Sequence, residues 1–232
     1  MVVTRAVARE RGITMKYDIN KSLVYITQAN DNADSFAREP KYADRGRALK
    51  AFLERLNAEG IRWAVGCSFA MYGMGITDDF HDFDIIVCER DFARVIEIMK
   101  ELGAEFHIEC DSQKKDVFCS HGFATATLPR NAEFDIIADF GIRTFGSYYQ
   151  YYLEDEHIDY FKANGMIIPL VPAEPLFVLY HFMVAWQPGR KFKVDRLREY
   201  LAAGNVRHPE ILEDALRFDL PWRIRNDIEQ LL

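Results

Sequence analysis

The chain has 232 residues, a length that predicts one domain or one domain with a modest appendage. Hydrophobic residues make up 49% of the chain and charged residues 28%, which argues against both a disordered and a membrane-embedded protein. The formal net charge of −7 disfavours nucleic acid as a partner, although it leaves room for a small basic groove.

Neither a membrane span nor a secretion signal is predicted. The longest nearly apolar run, residues 176–186, would be about 16 Å long as a helix, against about 30 Å of hydrocarbon in a bilayer. Arginines at positions 5, 9 and 11 interrupt the start of the chain, where a signal peptide needs an apolar stretch. The spacing of the cysteines matches no metal or disulfide motif and indicates reduced thiols in a cytoplasmic protein: Cys67, Cys88, Cys110 and Cys119.

The chain is predicted to have three parts. Residues 1–44 form an N-terminal leader that packs on the core, with a short helix expected at 4–10 and a short strand or helical turn at 22–26. Residues 45–171 form the core. Residues 172–232 form a C-terminal helical segment, in which proline and glycine separate four predicted helices at 174–186, 194–203, 209–217 and 222–231.

Within the core, helical and strand periods alternate. Leu49, Phe52, Leu53 and Leu56 follow the i, i+3, i+4, i+7 spacing of an amphipathic helix, and Gly60 suits its end. Further helices are predicted at 68–72 and 92–99, and strands at 61–65, 80–88, 117–119, 123–128, 133–140 and 166–171. Several strands with few helices between them predict an α+β fold, with a mixed sheet, helices on one face, and the helical segment after it.

Two of the predicted strands carry rows of carboxylates. Because side chains alternate along a strand, Asp82 and Asp84 share one face, and apolar side chains occupy the other. In the later strand, Glu133, Asp135 and Asp139 share a face opposite to a wholly apolar one. If the two strands are neighbours, at least three carboxylates meet on one side of the sheet.

Converging carboxylates repel one another unless a cation lies among them. Hard oxygen ligands of this kind suit Mg²⁺, which binds a few carboxylates and completes its coordination with water and substrate phosphate. A pair of such ions is suited to phosphoryl or nucleotidyl transfer. Upstream, the turn Gly66-Cys67-Ser68 follows a strand and opens a helix, where backbone N–H groups can approach phosphates.

These stretches resemble the signature of the nucleotidyltransferase superfamily: Gly66-Cys67-Ser68, then Asp82-Phe83-Asp84, then Asp135 on a later strand. The superfamily has a polymerase-beta-like fold and includes aminoglycoside, lincosamide and toxin-type nucleotidyltransferases. The similarity covers residues 48–140. The basic stretch at 190–195 and the helix after Pro172 are similar to the helical portion of the lincosamide and toxin-type branches.

The resemblance implies that Asp82, Asp84 and Asp135 are metal-binding and catalytic. Asp82 and Asp84 would hold two Mg²⁺ ions, and Asp135 would complete the triad and align or deprotonate the acceptor. Asp139 and Glu133 are the alternatives to Asp135 because they share its face. Asp135 is favoured because it lies in the middle of the strand, as the family pattern requires.

The resemblance also implies a nucleotide-binding set. Gly66, Cys67 and Ser68 would shape the triphosphate pocket, although a serine in this position is more often a helix N-cap than a ligand, and the two roles can coexist. Lys191 or Lys193 would steady phosphate, the alternative being that both lysines belong to a solvated helix start.

The implied activity is Mg²⁺-dependent transfer of an NMP, with AMP favoured, from an NTP to a hydroxyl of a small molecule or a macromolecule. The expected partners are therefore ATP and a hydroxyl-bearing acceptor, with no membrane. Two departures from the family pattern support an alternative, a catalytically degenerate module that binds a nucleotide or a protein. Cys67 stands where relatives carry Gly or Ser, and residues 77–81 contain no Arg or Lys, which many relatives have there.

Overall fold

The computed structural model describes residues 2–3, 40–78, 80–107, 117–129, 131–144, 146–163 and 166–232. The helix predicted at 4–10 and the strand or turn predicted at 22–26 lie outside these residues, as does Cys110. Within the described residues, the longest helices are too short or too polar to cross a membrane.

The elements follow one another along the chain as strands, helices and short turns. The strands are β1 (Val2–Val3), β2 (Trp63–Val65), β3 (Phe83–Val87), β4 (Glu105–His107), β5 (Gly122–Leu128), β6 (Ala132–Ala138), β7 (Gly141–Thr144), β8 (Ser147–Gln150), β9 (Asp159–Ala163) and β10 (Met166–Leu170). The α-helices are α1 (Pro40–Ala58), α2 (Cys67–Gly73), α3 (Glu89–Glu101), α4 (Ala173–Val184), α5 (Lys191–Tyr200), α6 (Pro209–Ala215) and α7 (Trp222–Glu229). Short 3₁₀ turns lie at Asp155–His157 and Pro188–Arg190, and a π-helical turn at Leu201–Asn205.

Eight of the strands form one mixed sheet in the order β1-β9-β10-β2-β3-β6-β5-β4. Strand β3 runs parallel to β6, and β10 runs parallel to β2, whereas the other neighbours in this sheet are antiparallel. Strands β7 and β8 form a separate hairpin. The predicted α+β class with a mixed sheet is therefore confirmed.

An aromatic layer separates the sheet from the helices that cover it. Phe83 on β3 is the direct neighbour of Phe134 on β6, with ring centroids 5.1 Å apart. Phe52 of α1 meets Phe134 edge to face at 5.4 Å, and all three rings are almost completely buried. Because side chains alternate along each strand, this packing directs Asp84 and Asp135 to the opposite face of the sheet.

The helical segment packs directly on the core. One cluster of buried apolar side chains runs from Leu49 in α1, through the sheet, to Ile228 in α7. Helix α4 is buried over most of its length and contacts both strands of the β7–β8 hairpin. Side chains of the segment can therefore approach the sheet and complete a site there.

The start of the core differs from the prediction. Helix α1 begins at Pro40, so the predicted boundary between residues 44 and 45 falls inside this helix. A proline suits the first turn of a helix, because its missing N–H would have no intrahelical partner there. The division into leader, core and helical segment stays a prediction.

The strand predicted at 117–119 is wrong for the described residues, which form one isolated bridge there, between Phe118 and Ile142. The Ser120 hydroxyl donates a hydrogen bond to the carbonyl of Gly141 at 3.2 Å and accepts one from its N–H at 2.9 Å. These side-chain bonds satisfy backbone groups that a continued ladder would otherwise pair.

Candidate active site

Three carboxylates meet on the face of the sheet opposite the aromatic layer. Asp84 and Asp135 are direct neighbours on the parallel strands β3 and β6, and Asp82 lies just before β3 begins. Each of the three offers a carboxylate oxygen within 4.8 Å of the others. The structure thus brings together the three acids singled out from the sequence.

The turn beside this cluster is held by backbone contacts. The N–H of Gly66 donates a hydrogen bond to the carbonyl of Asp84 at 2.8 Å, which fixes the end of β2 against β3. Gly66 has extended backbone angles and occupies the N-cap position of α2. The suggestion that Ser68 caps this helix is therefore wrong, because α2 begins one residue earlier, at Cys67.

Burial and mutual repulsion dominate the electrostatics of the cluster. Burial raises the pKa of the Asp84 carboxyl well above its usual value, and the charges of Asp82 and Asp135 raise it further. Lys193 and a hydrogen bond from Cys67 act in the opposite direction on the Asp84 pKa. Three hard oxygen donors, one of them the buried carboxylate of Asp84, fit a divalent cation, which would relieve this repulsion.

Neighbouring side chains orient the acids. The Thr125 hydroxyl donates a hydrogen bond to Oδ1 of Asp135 at 2.9 Å from the adjacent strand β5. Burial raises the pKa of the Cys67 thiol well above its usual value, and the Asp84 charge adds to this effect, so Cys67 stays a neutral thiol beside the cluster. Cys67 also has a φ of +45°, in the left-handed region that non-glycine residues rarely occupy.

The helical segment brings a tyrosine and a cation to the same place. Lys193 of α5 donates a hydrogen bond from Nζ to the Tyr180 hydroxyl of α4 at 3.2 Å. Burial lowers the pKa of Lys193, whereas the nearby Cys67, Asp84 and Asp82 raise it. The Lys193 ammonium therefore lies close enough to the acid cluster for the charges of Asp84 and Asp82 to act on it.

No family model matches the sequence. No curated protein matches it either. The solution structure of the antibiotic-resistance factor ANT(2'')-Ia matches this chain with a TM-score of 0.52 and 14% identity, over 75% of this chain and 92% of that chain. ANT(2'')-Ia in complex with adenylyl-2''-tobramycin matches with a TM-score of 0.50 and 14% identity, over 74% of this chain and 95% of that chain.

This chain has the nucleotidyltransferase fold. The lincomycin-bound lincosamide antibiotic adenylyltransferase LnuA also overlaps it, with a TM-score of 0.45 and 13% identity, over 66% of this chain and 95% of that chain. At these identities the similarity establishes the fold, while the roles of individual residues depend on the geometry of this chain.

The two lysines that are candidates for phosphate binding differ in their exposure and in their contacts. Lys191, at the start of α5, is 70% exposed and pairs with Asp195 one turn later at 2.6 Å. Lys193 is partly buried, donates a hydrogen bond to the Tyr180 hydroxyl, and is close enough to Asp84 and Asp82 for their charges to act on it. The phosphate role given to Lys191 stays a prediction, and Lys193 is the better placed of the two.

The alternatives to Asp135 lie apart from the three acids. Glu133 is exposed near the start of β6. Asp139 follows β6, and its carboxylate accepts a hydrogen bond from Nδ1 of His121 at 3.0 Å. Together with Glu89, which lies beside His121, these residues form a second group of side chains that could bind a metal. Among these acids of β6 and its end, Asp135 is therefore the one that joins Asp82 and Asp84 in a cluster.

Two arginines from distant parts of the chain hold the loop that precedes β3. Arg45 of α1 donates a hydrogen bond to the carbonyl of His81 at 3.3 Å. Arg196 of α5 donates one to the carbonyl of Ile76 at 2.9 Å. Residues 77–81 themselves contain no Arg or Lys. The two arginines bring positive charge to this loop from α1 and α5 instead.

Replacing Gly66 with alanine is expected to destabilise the fold by about 1–3 kcal/mol, because overpacking of a close-packed site has this cost. An added Cβ would lie 2.8 Å from Cγ1 and 2.9 Å from Cδ1 of Ile86, whose side chain is fully buried. Urea unfolding of Gly66→Ala, Ile86→Ala and the double variant measures the coupling. We expect the double variant to lose less stability than the sum of the single variants, and additive losses would contradict the steric explanation.

Proposed function

We propose that this protein is a Mg²⁺-dependent nucleotidyltransferase that transfers AMP from ATP to a hydroxyl of a small-molecule acceptor, with release of pyrophosphate. The observation that carries the proposal is the cluster of Asp82, Asp84 and Asp135, whose ligand oxygens lie within 4.8 Å of one another. ANT(2'')-Ia, which shares the fold, has been solved with adenylyl-2''-tobramycin. This supports an adenylyl group and a hydroxylated small molecule as the first choices here.

Asp82, Asp84 and Asp135 would hold the metal. Bound Mg²⁺ would supply positive charge that neutralises the phosphates and stabilises charge developing during transfer. The buried Asp84, whose pKa is raised, supports this assignment because a carboxylate in that position gains most from a cation.

The protein's own groups would perform the other steps. Asp135, held by the Thr125 hydroxyl, would accept the proton from the attacking acceptor hydroxyl. The ammonium of Lys193 would bind a phosphate oxygen of the departing pyrophosphate. The backbone N–H groups of Cys67 and Ser68 lie in the first turn of α2, where N–H groups have no intrahelical partner and suit an anion.

The alternative is a degenerate member of the fold that binds nucleotide without transferring it. Cys67 in the turn motivates this alternative, whereas the three clustered acids and the cations of Arg45, Arg196 and Lys193 near the loop and cluster favour transfer. The two functions differ in one measurable product, pyrophosphate.

Pyrophosphate release from ATP, measured with Mg²⁺ and a panel of hydroxylated acceptors that includes aminoglycosides and lincosamides, tests the proposal. Asp135→Asn is expected to reduce the rate at least about 10²-fold, the usual contribution of a positioned general base. Glu133→Gln, an exposed acid on the same strand and face, should keep the wild-type rate. Nucleotide binding without pyrophosphate release for any acceptor would favour the degenerate module.

A further inference from the structure

Two histidines and a glutamate meet outside the acid cluster, between the 3₁₀ turn Asp155–His157 and the start of α6. His157, His208 and Glu210 each offer one ligand atom within 4.8 Å of the others. Nε2 of His157 lies 3.3 Å from Oε1 of Glu210, and Nδ1 of His208 lies 3.5 Å from the same oxygen. Two imidazole nitrogens and a carboxylate oxygen thus face a common point.

Each imidazole also directs its other nitrogen toward a second carboxylate. Nδ1 of His157 lies 3.3 Å from Glu154, and Nε2 of His208 lies 3.7 Å from Asp159. The side chain of His208 is only 7% exposed, and within the described residues its Nε2 has no hydrogen-bond partner. Histidines that bind metals commonly have a carboxylate behind the ring, because it sets the tautomer and the ring orientation.

The surroundings of these histidines carry more negative than positive charge. Glu174 is 1% exposed, and its Oε1 accepts hydrogen bonds from the backbone N–H groups of Arg207 and His208 at 2.6 and 2.9 Å. Its Oε2 is buried and has no hydrogen-bond partner in the described parts of the chain. Arg207 neutralises Asp159 at 3.2 Å, which leaves the carboxylates of Glu154, Glu174 and Glu210 in excess. A cation at the histidines would compensate this charge.

We propose that His157, His208 and Glu210 bind a zinc ion that joins the turn ahead of β9 to the start of α6. Two histidines and one glutamate are an established zinc ligand set, in which water takes the fourth position. Imidazole nitrogens favour zinc over Mg²⁺, so this site differs in chemistry from the acid cluster. Its residues come from both sides of residue 172, and the ion therefore links the core to the helical segment.

Calorimetric titration of the metal-free full chain with ZnCl₂ tests the site. Glu210 is half exposed, so Glu210→Ala should fold normally and should bind one zinc ion fewer than the wild type. Glu213→Ala, on the exposed side of the same helix, is the matched control and should bind as the wild type does. Micromolar zinc should raise the Tm of the wild type and the control by about 3–6 °C but have a smaller effect on Glu210→Ala.

Two further variants test whether the zinc ion binds at the proposed residues. His157→Gln should lose the same zinc ion, and Co²⁺ at the site should give the visible absorption of a tetrahedral ion with nitrogen ligands. His121→Ala removes a ligand from the separate group of Glu89, His121 and Asp139 and should keep the ion. Absence of zinc binding to the wild type, equal stoichiometry in Glu210→Ala, or loss of the ion in His121→Ala would each overturn the proposal.

Discussion

The variant Asp84→Asn is expected to lose AMP transfer by at least about 10³-fold, the equivalent of about 4 kcal/mol of transition-state stabilisation. Asp84 is 6% exposed and is the neighbour of Asp135 across the parallel pair of β3 and β6. Its carboxylate therefore has a fixed position between the other two acids. An amide of the same shape keeps the packing but carries no charge with which to hold a cation.

Glu133→Gln serves as the control for transfer, because it removes an exposed carboxylate from the same sheet face. Circular dichroism should show that both variants keep the wild-type secondary structure. Mg²⁺ should raise the Tm of the wild type and of the control but not that of Asp84→Asn, since an ion that binds the folded state stabilises it. Retention of wild-type turnover by Asp84→Asn would refute the proposed metal-binding role.

In metal-free buffer, Asp84→Asn should be more stable than the wild type at neutral pH. The Asp84 pKa is raised in the folded protein, so the folded state binds this proton more tightly than the unfolded state does. The stabilisation that the folded state gains from a protonated Asp84 is therefore complete below about pH 4, the ordinary carboxyl pKa. This stabilisation is lost as the pH rises through the raised pKa. A tenfold difference in proton affinity between the two states corresponds to about 1.4 kcal/mol, or about 3–6 °C of Tm in a chain of this size. Asp84→Asn should flatten this part of the pH profile of Tm, and an unchanged slope would contradict the explanation.

The face of each strand on which the acids lie was predictable from the sequence. Whether the acids lie close together depended on whether the two strands are neighbours in the sheet. Alternation along a strand is local and places Asp84 and Asp135 opposite the apolar faces of β3 and β6. The adjacency of β3 and β6 is not local, because β4 and β5 lie between them along the chain but pair on the far side of β6. Strand order depends on the packing of the complete sheet, which a single sequence does not display.

The hairpin of β7 and β8 shows a different limit. Tyr148 and Tyr152 are each 50% exposed, whereas Tyr149 and Tyr151 are buried, which is the alternation expected of extended chain. Because the same residue type occupies both faces, the pattern of hydrophobic and polar residues shows no period of two. The buried and exposed tyrosines become distinguishable only when the helical segment packs on the hairpin, as helix α4 does.

The sequence does contain a signal for the lysine that lies near the acids. Lys193 precedes the buried Leu197 by four residues, so the two share a face of α5, whereas Lys191 precedes the polar Asp195 by four. Helical spacing therefore distinguishes the inward lysine from the outward one. The predicted helix begins at residue 194, three residues after the observed start, and so leaves both lysines outside the helix where this spacing applies.

The pair of variants Lys193→Met and Lys191→Met is expected to differ by about 10²-fold in kcat/KM for ATP, with the loss in Lys193→Met. A cation in a partly buried site near developing charge contributes far more than one in water, and removal of such a group typically costs about 10²–10³-fold. Lys191 is 70% exposed and already pairs with Asp195, so its removal should change the rate less than about twofold.

Methionine retains most of the apolar stem of lysine but removes the charge, together with the contact of the ammonium over the Tyr180 ring. Calorimetry with Mg²⁺ and a non-hydrolysable ATP analogue measures the same difference without an acceptor, and Lys193→Met should bind the analogue more weakly. If the lysine acts mainly on the departing pyrophosphate, kcat falls more than analogue affinity, since that interaction strengthens only during transfer. Equal losses in the two variants would contradict the difference expected here, and a larger loss in Lys191→Met would assign the phosphate to Lys191.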